Sequence, residues 1–394
     1  MITKDEKDFF LRKYKSQNYQ ADSYVLFMEA AISEFLAESG FFGMIIPNPW
    51  LTNLTQTGIR KYVTQNTRIY SIVHFMFPVF RKVTVDTEIA ILRKGAQSHW
   101  KPEVLFVNLL PDFSVEQRVE KQIQQDQDLW ISGNGKVINI FLSAIEYILA
   151  EKIDEQDYHL RDLFSINVGI KPYQTGKGKP PQTPSTVKSR PFDSDTQVDD
   201  TYRAYLRGSD INRYVISPQK ARYIKYGTWL AEPRQSANFD APLKLFIRQT
   251  GDSLISTIDT NKYLCLNNMH VLVPVSSKLS PYYILALINS KMMNWFYHTL
   301  NPEIGEVFAE VKKTNVEKLP IKGIDFLIKQ EVQYHDRLVA LVKQLLELRV
   351  RKSEYSVEYD ELQRRILFLD SEIDRLVYEL YALTDEEIKI VEGR

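Results

Sequence analysis

Between Tyr24 and Leu92 the hydrophobic pattern alternates between helical and strand periods, and that alternation restricts this part of the chain to an α/β architecture. Tyr24, Leu26/Phe27, Ala30/Ala31 and Phe35 recur at steps of three and four, the buried stripe of a helix over residues 24–36 that Ser39-Gly40 ends. Residues 42–46 are a short apolar run behind a glycine, which suits a fully buried parallel strand. A weaker helix follows at 58–64, then strands at 69–76 and 83–92. The order strand, helix, strand, strand is that of the second half of a doubly wound sheet.

Composition sets outer bounds. The 394 residues are 44% hydrophobic and 25% charged, enough to bury more than one core. No apolar run approaches the roughly eighteen residues of a membrane helix and the N-terminus is charged, so neither membrane insertion nor secretion is indicated. The lone Cys265 excludes an internal disulfide, fits a cytoplasmic protein and reads as buried packing rather than a nucleophile. The 50 basic and 50 acidic residues cancel, giving no global electrostatic argument for nucleic acid. Their distribution is uneven: Arg161 to Arg234 holds 13 Lys/Arg against 7 Asp/Glu, whereas Asp325 to Arg394 holds 11 against 16. A basic middle beside an acidic tail fits backbone contacts to DNA by the former and spacing or assembly by the latter.

Gly43-Met44-Ile45-Ile46-Pro47-Asn48-Pro49-Trp50-Leu51, followed by Val79-Phe80 and Val85-Asp86-Thr87-Glu88-Ile89, resembles the gamma-class adenine-specific DNA methyltransferases typified by the TaqI enzyme and its restriction-modification relatives. The resemblance implies that residues 1–110 are the C-terminal half of a methyltransferase catalytic domain. It also implies that Phe80 stacks on the adenine rotated out of the duplex, against the alternative of a core phenylalanine. The family's S-adenosylmethionine turn and its Asn/Asp-Pro-Pro-Tyr/Phe catalytic loop do not occur in this sequence. The expectation is a chain that starts within the enzyme, with the missing half upstream of Met1 and no cofactor held by this chain alone. Asn48-Pro49-Trp50 imitates the catalytic loop but lacks its second proline, so it reads as a structural exit from the strand.

A polar linker with a helix at 137–149 and a solvated stretch at 122–128 fills residues 111–160. Lys171-Pro-Tyr-Gln-Thr-Gly-Lys-Gly-Lys-Pro-Pro181 then forms a basic Gly/Pro loop able to present Lys171, Lys177 and Lys179 to phosphates, or a flexible surface loop. Its Gly176-Lys177-Gly178 lacks the glycines and the helix of a nucleotide loop. Leu206-Arg-Gly-Ser-Asp-Ile-Asn-Arg-Tyr214, Lys244-Leu-Phe-Ile-Arg-Gln-Thr250, Tyr282 to Ser290 and Val316-Glu-Lys-Leu-Pro-Ile321 resemble, in order, the target-recognition domain of TaqI-like methyltransferases and of type I specificity subunits. That implies a mainly β recognition domain over 161–323 with a helix near 281–297. Arg207, Arg213 and Arg248 are candidate DNA contacts, because guanidinium forks suit phosphates and guanine edges. Each could instead form an internal ion pair, Asp210 being the nearest carboxylate to fix Arg207 or Arg213.

Glu303, Glu310 and Lys312 imitate the carboxylates and lysine of a magnesium nuclease, but the spacing is permissive. The six histidines lack paired ligand spacing for zinc. In the tail, Tyr334, Leu338, Leu341, Leu345 and Leu348, then Tyr359, Leu362, Ile366, Leu369, Ile373, Leu376 and Leu380, mark two helices of an antiparallel hairpin over 324–394, broken at Arg351-Lys-Ser-Glu. Its seam suits either a partner or the chain's own recognition domain. The combined expectation is sequence-specific recognition of double-stranded DNA within an adenine methyltransferase, inactive alone and completed by the missing half. The alternatives are a noncatalytic specificity or scaffold subunit recruiting a separate methyltransferase, and a gene remnant that folds poorly.

Overall fold

In residues 1–148, the first of two units, the strands are β1 (Phe41–Pro47), β2 (Thr67–Phe75), β3 (Thr87–Lys94), β4 (Glu103–Asn108) and β5 (Arg118–Gln124), in the spatial order β1-β3-β2-β4-β5. The computed structural model describes residues 3–16, 22–80, 86–97, 99–108, 118–124, 127–132, 137–300, 309–354 and 359–393. β1 and β2 each pair antiparallel with β3, and β2 pairs parallel with β4. The run at 42–46 is therefore not a fully buried parallel strand. Phe42 and Ile46 enter the core, whereas Phe41, Gly43 and Ile45 are exposed. An unbroken apolar run carries no signal of which face is covered, and its partner Thr87–Lys94 is distant in sequence.

Helices α1 (Ser23–Ala30) and α2 (Thr57–Asn66) supply the core with Val25, Met28, Ile59 and Val63, which pack with Ile69, Ile72, Ala90 and Leu92. The expected helix over 24–36 changes winding at Ala31–Phe35, a π-helical turn. The stretch expected to be solvated, 122–128, includes the end of β5 and the buried Gln127. Gln127 accepts a hydrogen bond from Ile69 N–H at 2.8 Å and donates to the carbonyls of Thr67 at 2.8 Å and Thr64 at 3.1 Å. It satisfies three main-chain groups where α2 turns into β2. Helix α3 (Ala144–Asp154) begins at 144 rather than 137, because Ser143 and Glu146 form reciprocal cap bonds, Ser143 N–H donating to Glu146 Oε2 at 2.6 Å.

The second unit, residues 149–394, is built on a sheet whose two faces are both covered. Its strands are β6 (Phe164–Val168), β10 (Lys244–Arg248), β11 (Ser256–Asp259) and β13 (Met269–Pro274), antiparallel in the order β11-β10-β13-β6. Leu245, Ile247 and Leu272 face helices α4 (Pro281–Asn289) and α5 (Lys291–Leu300). Phe246, Met269 and Val271 face a second sheet of β7 (Asp193–Ser194), β8 (Tyr202–Leu206), β9 (Tyr223–Lys225) and β12 (Leu264–Cys265). The expected helix near 281–297 is interrupted at Ser290, where Asp374 accepts from Lys291 N–H at 2.8 Å and starts the second segment. Cys265 is fully buried, as expected of packing, and burial pushes its thiol up.

Helices α6 (Lys329–Glu354) and α7 (Tyr359–Leu380) form the tail. They run antiparallel: Tyr334 at the start of one bonds Glu379 at the end of the other at 3.4 Å. The first helix continues through 351–354 instead of breaking there. Leu338, Leu341, Leu345, Ile366 and Ile373 share one core with Tyr283 to Ile288, so the chain's own recognition region covers the seam. None of the described helices is long and apolar enough to cross a membrane.

Candidate nucleic-acid interface

The basic loop at 171–181 is folded from within. Gln182 accepts from Gln174 N–H at 3.0 Å and donates to the carbonyls of Pro172 at 2.8 Å and Trp229 at 2.9 Å. Gly178 has φ +89°, and a Cβ there would meet the Trp229 carbonyl oxygen at 2.5 Å, so only glycine closes this turn. Tyr173 stacks on Phe192 with centroids 5.6 Å apart, and Arg190 lies over the Tyr173 ring at 4.7 Å. Lys171 is half-buried and exchanges both main-chain bonds with Glu232. Lys177 and Lys179 are exposed, and neither joins an ion pair among the described residues.

Asp210 is the hub of the next element, but not for the arginines that its position suggested. Its carboxylate accepts Arg207 N–H at 2.7 Å and holds the Arg222 guanidinium at 2.9 and 3.0 Å. The Arg207 side chain is left without an ion-pair partner among the described residues, and its Nε is buried and unbonded. Arg248 lies beside Gly208, 3.5 Å from where a Cβ would be, and donates from Nε to the Thr250 carbonyl at 2.9 Å. Arg213 differs from these candidates. It donates to Asp370 of α7 at 2.8 Å, with 30% and 16% of the two side chains exposed, so it ties the β region to the hairpin. Nearby, burial first of all raises Asp374 to about 6, although Lys291 N–H and Arg213 pull the other way.

Arg190, Arg203, Lys220, Arg222 and Arg234 pair with Asp193, Asp240, Asp195, Asp210 and Glu232 respectively. Those pairs neutralise much of the segment's basic charge locally. Without an ion pair to a described carboxylate are Lys171, Lys177, Lys179, Arg207 and Arg248, the exposed Lys188 that sequence reasoning passed over, and Lys225, which lies over the Trp229 ring at 5.4 Å. Only the pairing map separates these cations from the structural ones.

In the first unit, Phe80 follows β2 and is 46% exposed, so it is no core phenylalanine. Residues 83–85 of the adjoining motif, like Glu303, lie outside the described residues. Trp50 is fully buried and donates from Nε1 to Glu88 at 2.5 Å, while Asn48 N–H donates to the Asp86 carbonyl at 3.0 Å. Asn48-Pro49-Trp50 is thus a structural strand exit with no ring available for stacking. Burial is the dominant cause that raises the Glu88 carboxyl, with His74 3.9 Å away. Glu310 accepts from Gln249, and no group of three His, Cys, Asp or Glu able to hold a metal occurs among the described residues.

Residues 203–321 match the family of TaqI-like C-terminal specificity domains, and residues 1–80 match the Eco57I restriction-modification methylase family. The type II restriction enzyme and methyltransferase Eco57I of Escherichia coli is 24% identical over 99% of this chain and 46% of its own length. A Methanocaldococcus jannaschii protein assigned as a type II restriction enzyme and methyltransferase is 22% identical over 97% of this chain and 30% of its own. The chain thus spans less than half the length of these relatives. The Type IIL restriction-modification enzyme MmeI, solved in complex with DNA, shares the fold at a TM-score of 0.59 and 11% identity, over 100% of this chain and 55% of that one. The chain thus carries a segment similar to the Eco57I restriction-modification methylases, residues 1–80, ahead of one that matches the TaqI-like C-terminal specificity domains, residues 203–321.

Proposed function

We propose that these residues recognise a specific sequence in double-stranded DNA as part of an adenine-specific DNA methyltransferase of a restriction-modification system. The observation that carries the reading is a group of cations without a carboxylate partner among the described residues, Lys171, Lys177, Lys179, Arg207 and Arg248 among them, within or beside the specificity segment. Such lysines and arginines neutralise phosphates and release counterions, and an arginine fork also reads guanine. On this reading Phe80 stacks on the flipped adenine. The β1-β3-β2 arrangement, with the antiparallel β3 between two co-directional strands, supports reading this sheet as the back half of a doubly wound catalytic sheet.

S-adenosylmethionine supplies the methyl group in such enzymes. Neither the glycine turn nor the Asn-Pro-Pro-Tyr loop occurs in residues 1–394, so no transfer step is assigned to these side chains. Methylation then depends on a methyltransferase half carrying those motifs, whether in one polypeptide or as a separate subunit. The outer side of β1 is unpaired among the described residues, and its uncovered Phe41 and Ile45 suit that neighbour. The second reading is a noncatalytic specificity subunit that recruits a separate methyltransferase, and a partner protein carrying both motifs would favour it. In either case the protein acts in the cytoplasm.

Selection from a randomised duplex pool tests the reading. The chain should enrich one common motif. Recovered DNA indistinguishable from the input would contradict sequence recognition.

A further inference from the structure

Beside β6 a cleft of about 380 Å³ is lined by Asn167, Val168, Arg234, Gln235, Asn238 and Lys313. We propose that this cleft receives the edge of one nucleobase of the bound DNA, read by the Asn238 and Gln235 carboxamides. The proposal rests on the DNA-recognition reading above and names residues that this reading does not use.

The volume falls in the range of roughly 300–1,000 Å³ typical of small-molecule sites and admits a single base. Asn167 and Val168 come from a strand that pairs, among the described residues, with β13 alone, and both residues line the cleft. The side chains of Gln235 and Asn238 have no hydrogen-bond partner among the described residues. A carboxamide offers a donor and an acceptor side by side, the pattern that matches the N6 and N7 edge of adenine.

The cations of the cleft are already matched. Arg234 pairs with Glu232 at 2.5 Å and Lys313 with Glu317 at 3.3 Å, so the lining favours a neutral polar edge over a bare phosphate. Arg234 also sits at φ +61°, a conformation an L side chain rarely adopts. Two bonds hold it there: its Nε donates to the Gly169 carbonyl at 3.2 Å, and its own carbonyl accepts from Tyr226 OH at 3.1 Å. Fixing this residue sets the course of the chain into Gln235 and Asn238.

The test is sequence selection by the full chain from a randomised duplex pool, comparing the wild type with Asn238→Ala, Asn238→Asp and Lys177→Ala. Asn238→Ala should lose roughly tenfold or more of the preference at one base position and leave the others intact. Asn238→Asp, which replaces a donor with an acceptor, should move that preference toward cytosine, whose N4 amine donates. Lys177→Ala should weaken all sequences alike. If Asn238→Ala keeps the wild-type preference at every position, or weakens all sequences equally while melting like the wild type, the proposal fails. Should Asn238→Ala melt early, Asn238→Asp and Gln235→Ala decide it by the same criterion. Binding of free adenosine monophosphate that Asn238→Ala abolishes, with DNA preference unchanged, would make the cleft a small-molecule site and overturn the proposal. A wild type that enriches no motif would instead remove the parent reading, and this proposal with it.

Discussion

Replacing Arg213 by alanine separates an internal tie from a DNA contact, because the two roles predict opposite results. The guanidinium lies 2.8 Å from Asp370, with about a third of its own side chain and a sixth of its partner's exposed. A fully exposed pair of this kind contributes up to about 1 kcal/mol, and breaking a fully buried one costs about 3–5 kcal/mol. At this intermediate burial, with Arg349 also acting on Asp370, the expected loss is about 2 kcal/mol. For a unit of this size that corresponds to a melting shift of roughly 4–8 °C in the second unit's calorimetric transition. A double-mutant cycle with Asp370→Asn should recover about 1 kcal/mol of coupling. The salt dependence of DNA binding should not change. A variant that melts like the wild type, yet loses about 0.9 from the slope of log K against log salt, would refute the reasoning and restore Arg213 to the DNA-facing set.

Asp374 gives the second unit a defined pH response. Its folded pKa of about 6 lies above the unfolded value near 3.9, so the folded state binds the extra proton and stability falls as pH rises from about 4 to about 6. The wild type minus Asp374→Asn difference should change by about 2–3 kcal/mol across that window in denaturant titrations, and a flat difference would remove the assignment. Gln127→Ala leaves Ile69 N–H and the Thr64 and Thr67 carbonyls without their partner, and should cost the first unit about 2–4 kcal/mol in chemical unfolding; a loss under about 0.5 kcal/mol would show that water replaces it. Residues 1–394 incubated with tritiated S-adenosylmethionine and DNA should transfer no label above background, and transfer would place a catalytic loop among residues assigned here to structure.

Much of the architecture was legible because it is local. The three- and four-step stripes at Leu338 to Leu345 and Ile366 to Ile373 gave both tail helices, and the apolar run at 42–46 gave β1. What the periodicity left open was the choice among long-range partners. It could not pair β1 with β3, nor decide that α4 rather than another protein covers the hairpin seam. Gln127 reads as a solvated glutamine because its burial depends on main-chain groups some sixty residues away. The candidate contacts divide for the same reason. Arg213 is indistinguishable from Arg207 in sequence, and only the fold brings Asp370, 157 residues away, to its guanidinium. The cleft of Asn167, Asn238 and Lys313 joins three separate segments and left no motif to find.

The most direct test of DNA recognition by the uncompensated cations is the salt dependence of duplex binding by the full chain. If Lys171, Lys177, Lys179, Arg207 and Arg248 each neutralise one phosphate, log K should fall against log salt with a slope of about −4.5. The double variant Lys177→Ala/Lys179→Ala should bring that slope to about −2.7 without altering the melting transition. A wild-type slope near zero, or a double variant with the wild-type slope, would contradict the account.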